Sequence, residues 1–152
     1  MIRLSKLADY GIVIATHLAR QADRQQTALE VAAATGVPPP MTSKILKQLV
    51  RGEVLVSHRG ARGGYSLARP AAQVTVAEVI EALDGPIAIT SCIDPGPHEC
   101  GILRLCLARA NWRRINHAIR DALAGVSLAE MAHGIPTAFL LPEERQPIDA
   151  RL

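Results

Sequence analysis

Aromatic residues are scarce in this chain: they make up 3% of its 152 residues, although hydrophobic residues make up 49%. The core must therefore be built from leucine, isoleucine, valine and alanine, which favours packed helices over a β-sandwich. No apolar run approaches the roughly 18 residues of a membrane span, and the N-terminus enters a helical pattern without a signal-peptide core. We therefore expect one cytoplasmic domain with appendages and no membrane partner.

Cysteine is also scarce, and all three cysteines, Cys92, Cys100 and Cys106, fall in one short segment. An odd number of thiols in a reducing compartment argues against a disulfide framework and for metal or redox chemistry. The segment contains residues that prevent a single regular helix, namely Pro95, Gly96, Pro97 and Gly101. Thiolates are the preferred ligands of iron–sulfur clusters and zinc. We interpret the segment as a sensing site, with Cys106 expected in the first turn of the following helix, where the helix dipole favours a thiolate.

Charge is distributed unevenly along the middle of the chain. The net charge of +3 says little, but six lysines and arginines oppose one acid between Met41 and Arg69. Between Pro70 and Cys100 there are five acids and no lysine or arginine. A basic block followed by an acidic one indicates a face for a polyanion beside a face that avoids it.

Three helices are predicted before this basic block ends. Apolar residues recur at helical spacing from Leu4 to about Arg20, which predicts the first helix. Thr27 and Glu30 form a capping-box pattern, and the second helix stops at Gly36. The third follows a run of prolines and continues to residues 51–52. Two short helices joined by a tight turn, with the second one basic, predict a helix-turn-helix.

The outer face of the third helix supplies the candidate DNA contacts. Its predicted outward residues are Thr42, Ser43, Lys44 and Lys47. Met41, Ser43 and Lys44 are the candidates for reading bases. The prolines replace a polar start of the helix, so the operator sequence cannot be inferred.

Residues 53–68 predict a β-hairpin, because two short β-type runs flank a turn rich in glycine and arginine. Arg59 and Arg62 place positive charge at its tip, and arginine suits the narrow, negative minor groove of A/T-rich DNA. A surface hairpin with solvated arginines is the alternative. Directly after a helix-turn-helix, the pattern favours a wing.

Beyond the wing, residues 74–85 predict an amphipathic helix, and a longer helix follows the cysteines. Its apolar residues keep the spacing of a coiled-coil seam: Leu105, Ala108, Trp112, Ile115, Ile119, Ala122 and Val126. The seam favours a dimer helix over packing on the same chain. The predicted organisation is a winged helix-turn-helix DNA-binding domain (1–84), a cluster-binding loop (85–101), a dimerisation helix with a short following helix (102–133) and a flexible tail (134–152). The fold class is mainly α.

Four stretches together resemble a known family. They are residues 3–10 (Arg-Leu-Ser-Lys-Leu-Ala-Asp-Tyr), 59–68 (Arg-Gly-Ala-Arg-Gly-Gly-Tyr-Ser-Leu-Ala), 76–85 (Val-Ala-Glu-Val-Ile-Glu-Ala-Leu-Asp-Gly) and the three cysteines before a long helix. The chain resembles, from residue 1 to about 132, the dimeric winged-helix iron–sulfur regulators of the IscR and NsrR type, and within them the regulators of SUF-type cluster assembly. The resemblance implies a homodimer that binds double-stranded promoter DNA. It also implies that Cys92, Cys100 and Cys106 bind an iron–sulfur cluster, with 2Fe-2S favoured and 4Fe-4S open.

The fourth cluster ligand is where the chain departs from the family pattern. The IscR type has a histidine three residues after the last cysteine, but this chain has Arg109, which cannot coordinate a metal. The NsrR type uses a carboxylate from the first helix of the other protomer, which corresponds to Asp9 of the partner subunit. His98, Glu99 and an exogenous ligand are the remaining candidates.

The leading hypothesis is therefore a transcription regulator that senses iron–sulfur cluster status and controls cluster assembly genes. We expect it to be a repressor. One alternative is a metal-free redox switch in which the cysteines pair on oxidation. Another is a zinc or iron–sulfur protein that acts through protein partners rather than DNA. Enzyme activity ranks below these three hypotheses. The sequence has no glycine-rich phosphate-binding loop, no convincing order of Ser, His and Asp for a catalytic triad, and no paired carboxylates in an apolar setting.

Overall fold

The computed structural model of the chain describes residues 3–60, 63–93, 100–102 and 105–134. These residues form six α-helices and a two-stranded antiparallel sheet, with a 3-10 turn at Ala71–Gln73. In chain order the elements are α1 (Lys6–Arg20), α2 (Ala28–Thr35), α3 (Pro39–Arg51), β1 (Leu55–His58), β2 (Gly64–Leu67), α4 (Val76–Asp84), α5 (Arg109–Ala124) and α6 (Leu128–His133). This confirms the prediction of a mainly helical fold with a small β-hairpin.

Local capping interactions set the helix boundaries. The Thr27 side chain accepts a hydrogen bond from the Glu30 N–H, and the Glu30 carboxylate accepts one from the Thr27 N–H, which completes the predicted capping box of α2. The helix ends at Gly36, whose φ of 71° is the left-handed conformation that glycine adopts without strain. Ser5 caps α1 in the same way, by accepting from the Ala8 N–H.

The core lies where α1, α3 and α4 meet. Its fully buried side chains are aliphatic, as the lack of aromatics predicts, and the largest of them are Ile14, Leu18, Ile45, Leu46, Leu49, Leu55 and Leu128. A second apolar cluster continues from it between α1 and α4, where Ala8, Val76 and Ile80 are buried and Ile87 packs against them. The helix-turn-helix and the cysteine segment are therefore both attached to α1 and α4.

The last helix returns to this core. A backbone bridge joins Thr75 and Ser127: the Val76 N–H donates to the Val126 carbonyl at 2.9 Å, and the Leu128 N–H donates to the Val74 carbonyl at 2.8 Å. Leu128 is fully buried among residues of the N-terminal helices. Although the sequence grouped it with the dimer helix, α6 belongs by its packing to the N-terminal core.

The helix α5 is shorter than its apolar seam predicts. It begins at Arg109 after a cap at Ala108, and Leu105, which the sequence placed on the seam, is 85% exposed outside the helix. Within the helix, Trp112 and Ile115 are 39% and 43% exposed, so the part of the chain that the structure describes leaves these two seam residues partly open to solvent. No helix in the described ranges is both long enough and apolar enough to cross a membrane.

Candidate DNA-binding surface and cysteine site

The helix α3 presents a basic groove to solvent. Pro39 and Pro40 occupy its first two positions, where proline fits because no N–H is needed there. Its buried face, led by Ile45 and Leu49, fixes the rotation of the helix on the core. The opposite face forms a shallow surface groove lined by Pro40, Ser43, Lys44, Lys47, Gln48 and Arg51. Four of the predicted DNA-contact residues of α3 thus remain available, with Met41 half-buried at the edge.

The prediction that Thr42 faces outward is wrong. Its side chain is 0% exposed, and its hydroxyl donates to the carbonyl of Val37 at 3.1 Å and lies 3.2 Å from that of Pro38. The hydroxyl therefore closes the turn between α2 and α3 and is buried there. Because Thr42 lies three residues before the buried Ile45, the helical phase alone could have indicated this position.

A second groove connects α3 to the hairpin. It is lined by Lys47, Val50, Arg51, Ser57 and Tyr65, and it shares Lys47 and Arg51 with the groove along α3. No ion pair found among the described residues engages Lys44, Lys47 or Arg51. The result is one continuous basic surface, which suits contact with the phosphates of a duplex.

Sequence reasoning did not include Arg51 among the candidate contacts. The spacing of Lys44, Lys47 and Arg51, at three and four residues, was sufficient to place them on one helical face. Ser57 and Tyr65 were missed because they line the groove through the pairing of β1 with β2, in which Ser57 lies opposite Tyr65.

The hairpin is held to the domain by Gln26, in the connection between α1 and α2. Its backbone N–H donates to the Tyr65 carbonyl at 3.1 Å, and its carbonyl accepts from the Tyr65 N–H at 2.7 Å. The Gln26 side chain is buried and lies 2.8 Å from Nε2 of His17. Gly64 is required here, because a Cβ atom would lie 2.6 Å from the carbonyl carbon and oxygen of Gln26. The short extended stretch at Gln26 therefore pairs with β2 and links the wing to the connection that follows α1.

The wing carries Arg59 at the end of β1. Arg59 is exposed, and Gly60 follows with a φ of 106°, a conformation that starts the turn of the hairpin. On the strands, Nε2 of His58 and Oγ of Ser66 lie 2.9 Å apart. The predicted partner of Arg59, Arg62, lies outside the described residues.

The three cysteines are free and half-buried. Oγ1 of Thr90 lies 3.3 Å from Sγ of Cys92. Cys106 lies before the cap of α5 at Ala108, so the prediction that it falls in the first turn of the helix is wrong. Apolar residues continue the helical spacing through Leu105, but the backbone there is not helical.

Three thiols are a donor set that fits an iron–sulfur cluster in chemistry. In the described ranges, however, no three histidine, cysteine or acidic side chains come together as a group able to hold a metal ion. Residues 94–99 and 103–104, which connect the cysteines, lie outside the described ranges, and so do the candidate ligands His98 and Glu99. Asp9 is exposed in the first turn of α1.

The family model named Rrf2, described as an iron-dependent transcriptional regulator, matches residues 4–134. The chain belongs to the Rrf2 family. Rrf2 proteins are transcriptional regulators rather than enzymes, and this membership makes the chain a DNA-binding transcriptional regulator whose hairpin is the wing of a winged helix.

Individual relatives agree with this assignment. A Mycobacterium tuberculosis protein named as an HTH-type transcriptional regulator is 33% identical over 88% of this chain and 83% of its own length. The HTH-type regulator IscR of Xenorhabdus nematophila is 28% identical over 86% of this chain and 79% of its own. Among solved structures, CymR, the global cysteine regulator of B. subtilis, has the same fold, with a TM-score of 0.69, 23% identity and coverage of 90% of this chain and all of CymR.

Proposed function

We propose that this chain is a homodimeric repressor that senses iron–sulfur cluster status through Cys92, Cys100 and Cys106 and controls genes of iron–sulfur cluster assembly. The observation that carries the proposal is the concentration of three free, half-buried thiols in one segment between α4 and α5. The chain belongs to a family described as iron-dependent, and the similarity to IscR supports the same cofactor class.

The three cysteines would hold the cluster, for which 2Fe-2S is favoured and 4Fe-4S stays open. When bound, such a cluster supplies an iron-dependent group whose loss or oxidation reports on the state of the cell. Asp9 of the partner subunit is the proposed fourth ligand, and His98, Glu99 or an exogenous ligand are its alternatives. A carboxylate is a weaker ligand for iron in a cluster than a thiolate, which suits a site that must lose its cofactor.

The homodimer is supported by the exposed seam of α5. Trp112 and Ile115 lie on it with Ile119 and Ala122, at the spacing that two helices use to pack against each other. Trp112 is 39% exposed and Ile115 is 43% exposed. A second copy of α5 packed on the seam would remove this apolar surface from water, which stabilises the dimer. In this proposal the dimer contact within residues 102–133 is made by α5, while residues 85–101 together with Cys106 hold the cluster.

Residues 1–84 read the DNA in this proposal. The helix α3 of each protomer enters one major groove with Ser43, Lys44 and Lys47 outward, and the wing places Arg59 and Arg62 at the flanking minor groove. Two half-sites lie about 34 Å apart, one helical turn of DNA. The spacing of the two α3 helices therefore decides affinity, and the segment between α4 and α5 lies between each reading head and the dimer seam.

Anaerobic purification tests the proposal directly. A brown protein with iron and sulfide is expected, and its affinity for a duplex selected by the wild-type protein from a random library should change when the cluster is removed by chelation. Cys100→Ser should lose iron and show the affinity of the chelated wild type. The matched control is Ser91→Ala, an exposed neighbour of Cys92, which should behave as wild type. A colourless protein, or one whose affinity is the same loaded and stripped, rejects the proposal.

The metal-free thiol switch is the second candidate. It is favoured by the fact that all three cysteines are free thiols and each is only partly buried. In this case the iron-free protein should change its DNA affinity on treatment with diamide and recover with dithiothreitol. The same assay on Cys92→Ser, Cys100→Ser and Cys106→Ser identifies the reacting pair.

A further inference from the structure

One buried polar residue connects α5 to the segment that leads into the cysteines. Asn116 is 7% exposed and is the one residue of α5 that is buried. Its Nδ2 donates to the carbonyl of Ile87 at 2.8 Å, and its Oδ1 accepts from the N–H of Ile89 at 3.0 Å. The side-chain amide thus pairs with the backbone as an adjacent β-strand would, and both halves of the amide are used.

The paired segment is fixed on its other side as well. Ile87 packs against the apolar cluster of Ala8, Val76 and Ile80, between α1 and α4. After Ile89 the chain makes a turn in which the Ile93 N–H donates to the Thr90 carbonyl at 3.1 Å, and this turn contains Cys92. Cys92 therefore lies three residues beyond a point that is held by both the core and α5.

A single face of α5 makes these contacts. Arg120, one turn after Asn116, forms an ion pair with Glu81 of α4 at 2.8 Å, and Leu123 packs on the same apolar cluster as Ile87. At about 100° per residue, Asn116 lies about 40° around the helix from Trp112 and about 100° from Ile115. The contacts of Asn116 leave these two seam residues partly exposed.

We propose that Asn116 is a positioning residue of the cysteine site: by pairing with Ile87 and Ile89 it holds the turn of Cys92 against α5 before any cofactor binds. This inference rests on the proposed use of the cysteines as the sensing site. Cys106 needs no such contact, because only two residues separate it from the start of α5. Cys92 and Cys106 are then both positioned by α5, and a movement of the Cys92 turn is transmitted to this helix.

The experiment measures thiol reactivity in the full-length, reduced, iron-free protein. Peptide-resolved rates of reaction with N-ethylmaleimide are compared for Cys92 and Cys106 in wild type, N116A and N111A. Asn111 is the matched control, since it is the same residue type in the same helix and is exposed. In N116A the rate of reaction at Cys92 should rise about tenfold, because each of the two lost hydrogen bonds lowers the population of the open segment by a factor of a few. The rate at Cys106 should stay within about twofold of wild type.

A second variant covers the case in which N116A does not fold. In N116D the side chain keeps the acceptor for the Ile89 N–H, but an ionised carboxylate faces the Ile87 carbonyl instead of a donor. The Cys92 rate relative to wild type should therefore be raised at about pH 8 and return towards 1 at about pH 5, where a protonated carboxyl group can donate again. A general loosening of the fold would not be reversed by acid.

The inference is overturned if N116A reacts at Cys92 as N111A does, if Cys92 and Cys106 accelerate together, or if N116D shows no dependence on pH. Because alkylation needs no iron, this result is separate from the test of the cluster. If the anaerobic protein holds iron and sulfide but N116A leaves Cys92 unchanged, the positioning role fails and the sensing role stands. In loaded protein, N116A should also release iron to a chelator several times faster than N111A.

Discussion

Replacement of Gly64 by alanine tests whether the wing depends on its attachment to Gln26. The new Cβ atom would lie 2.6 Å from the carbonyl carbon and oxygen of Gln26 and 3.0 Å from its nitrogen. Backbone atoms cannot move aside as a flexible side chain can, so β2 must shift away. The shift breaks the two hydrogen bonds between Gln26 and Tyr65, which measure 3.1 and 2.7 Å.

The cost can be worked out from these contacts. Two backbone hydrogen bonds contribute about 1 kcal/mol each, and the crowding adds about 1 kcal/mol or more, so the free energy of unfolding should fall by about 2–4 kcal/mol. For a chain of this size that corresponds to a loss of roughly 5–15 °C in Tm. Thermal unfolding followed by circular dichroism measures it.

Function should fall together with stability. The duplex selected by the wild-type protein should bind Gly64→Ala at least about tenfold more weakly at a temperature where the variant is still folded, because the wing no longer has a fixed position next to α3. Gly101→Ala is the control for Tm, since no described atom lies within 4 Å of its added Cβ, and the affinity of Gly64→Ala is compared with that of the wild type. Unchanged Tm and affinity in Gly64→Ala would refute the attachment of the wing through Gln26.

Four further substitutions separate stability from DNA contact. Glu53 has a φ of 58°, so Glu53→Gly should raise the free energy of unfolding by about 1 kcal/mol, measured by urea unfolding, and a loss would show that the strain is absent. Hydrogen bonds from the hydroxyl and N–H of Ser127 hold the pKa of Glu130 below its usual value. The ionised carboxylate therefore stabilises the fold at pH values above its unfolded-state pKa. The loss in free energy of unfolding caused by Glu130→Ala should be complete at about pH 7 and should shrink as pH falls below about 4. Thr42→Val should lower the free energy of unfolding by about 1 kcal/mol without changing the salt dependence of DNA binding. Lys47→Ala should instead lower the magnitude of the slope of log K against log salt by about 0.9, with no loss of stability. Equal slopes in the two variants would show that Lys47 does not contact DNA.

The sequence predicted those parts of the fold that local chemistry determines. The capping box of Thr27 and Glu30, the end of α2 at Gly36 and the hairpin around Arg59 depend on residues close together in the chain. The family resemblance was confirmed for the same reason, since its motifs are short and specific. The basic face of α3 followed from helical spacing once the buried face was known.

The errors arose where backbone or distant partners decide the structure. Thr42 was placed outside because threonine is polar, but its hydroxyl is satisfied by a carbonyl of the preceding turn. Cys106 was placed inside α5 because apolar spacing continues past the start of the helix. Asn116 interrupts no pattern visible in the sequence, since both of its partners are main-chain atoms 27 and 29 residues away.

The bridge between Thr75 and Ser127 joins the chain after α5 to the start of α4, whereas Gly85 follows the opposite end of α4. The segment from residue 85 to residue 125 therefore begins at one end of α4 and returns to the other end of the same helix. In the proposed dimer joined through α5, a movement of α5 would therefore act on α4 from both of its ends, and through α4 on the DNA-binding domain of each protomer.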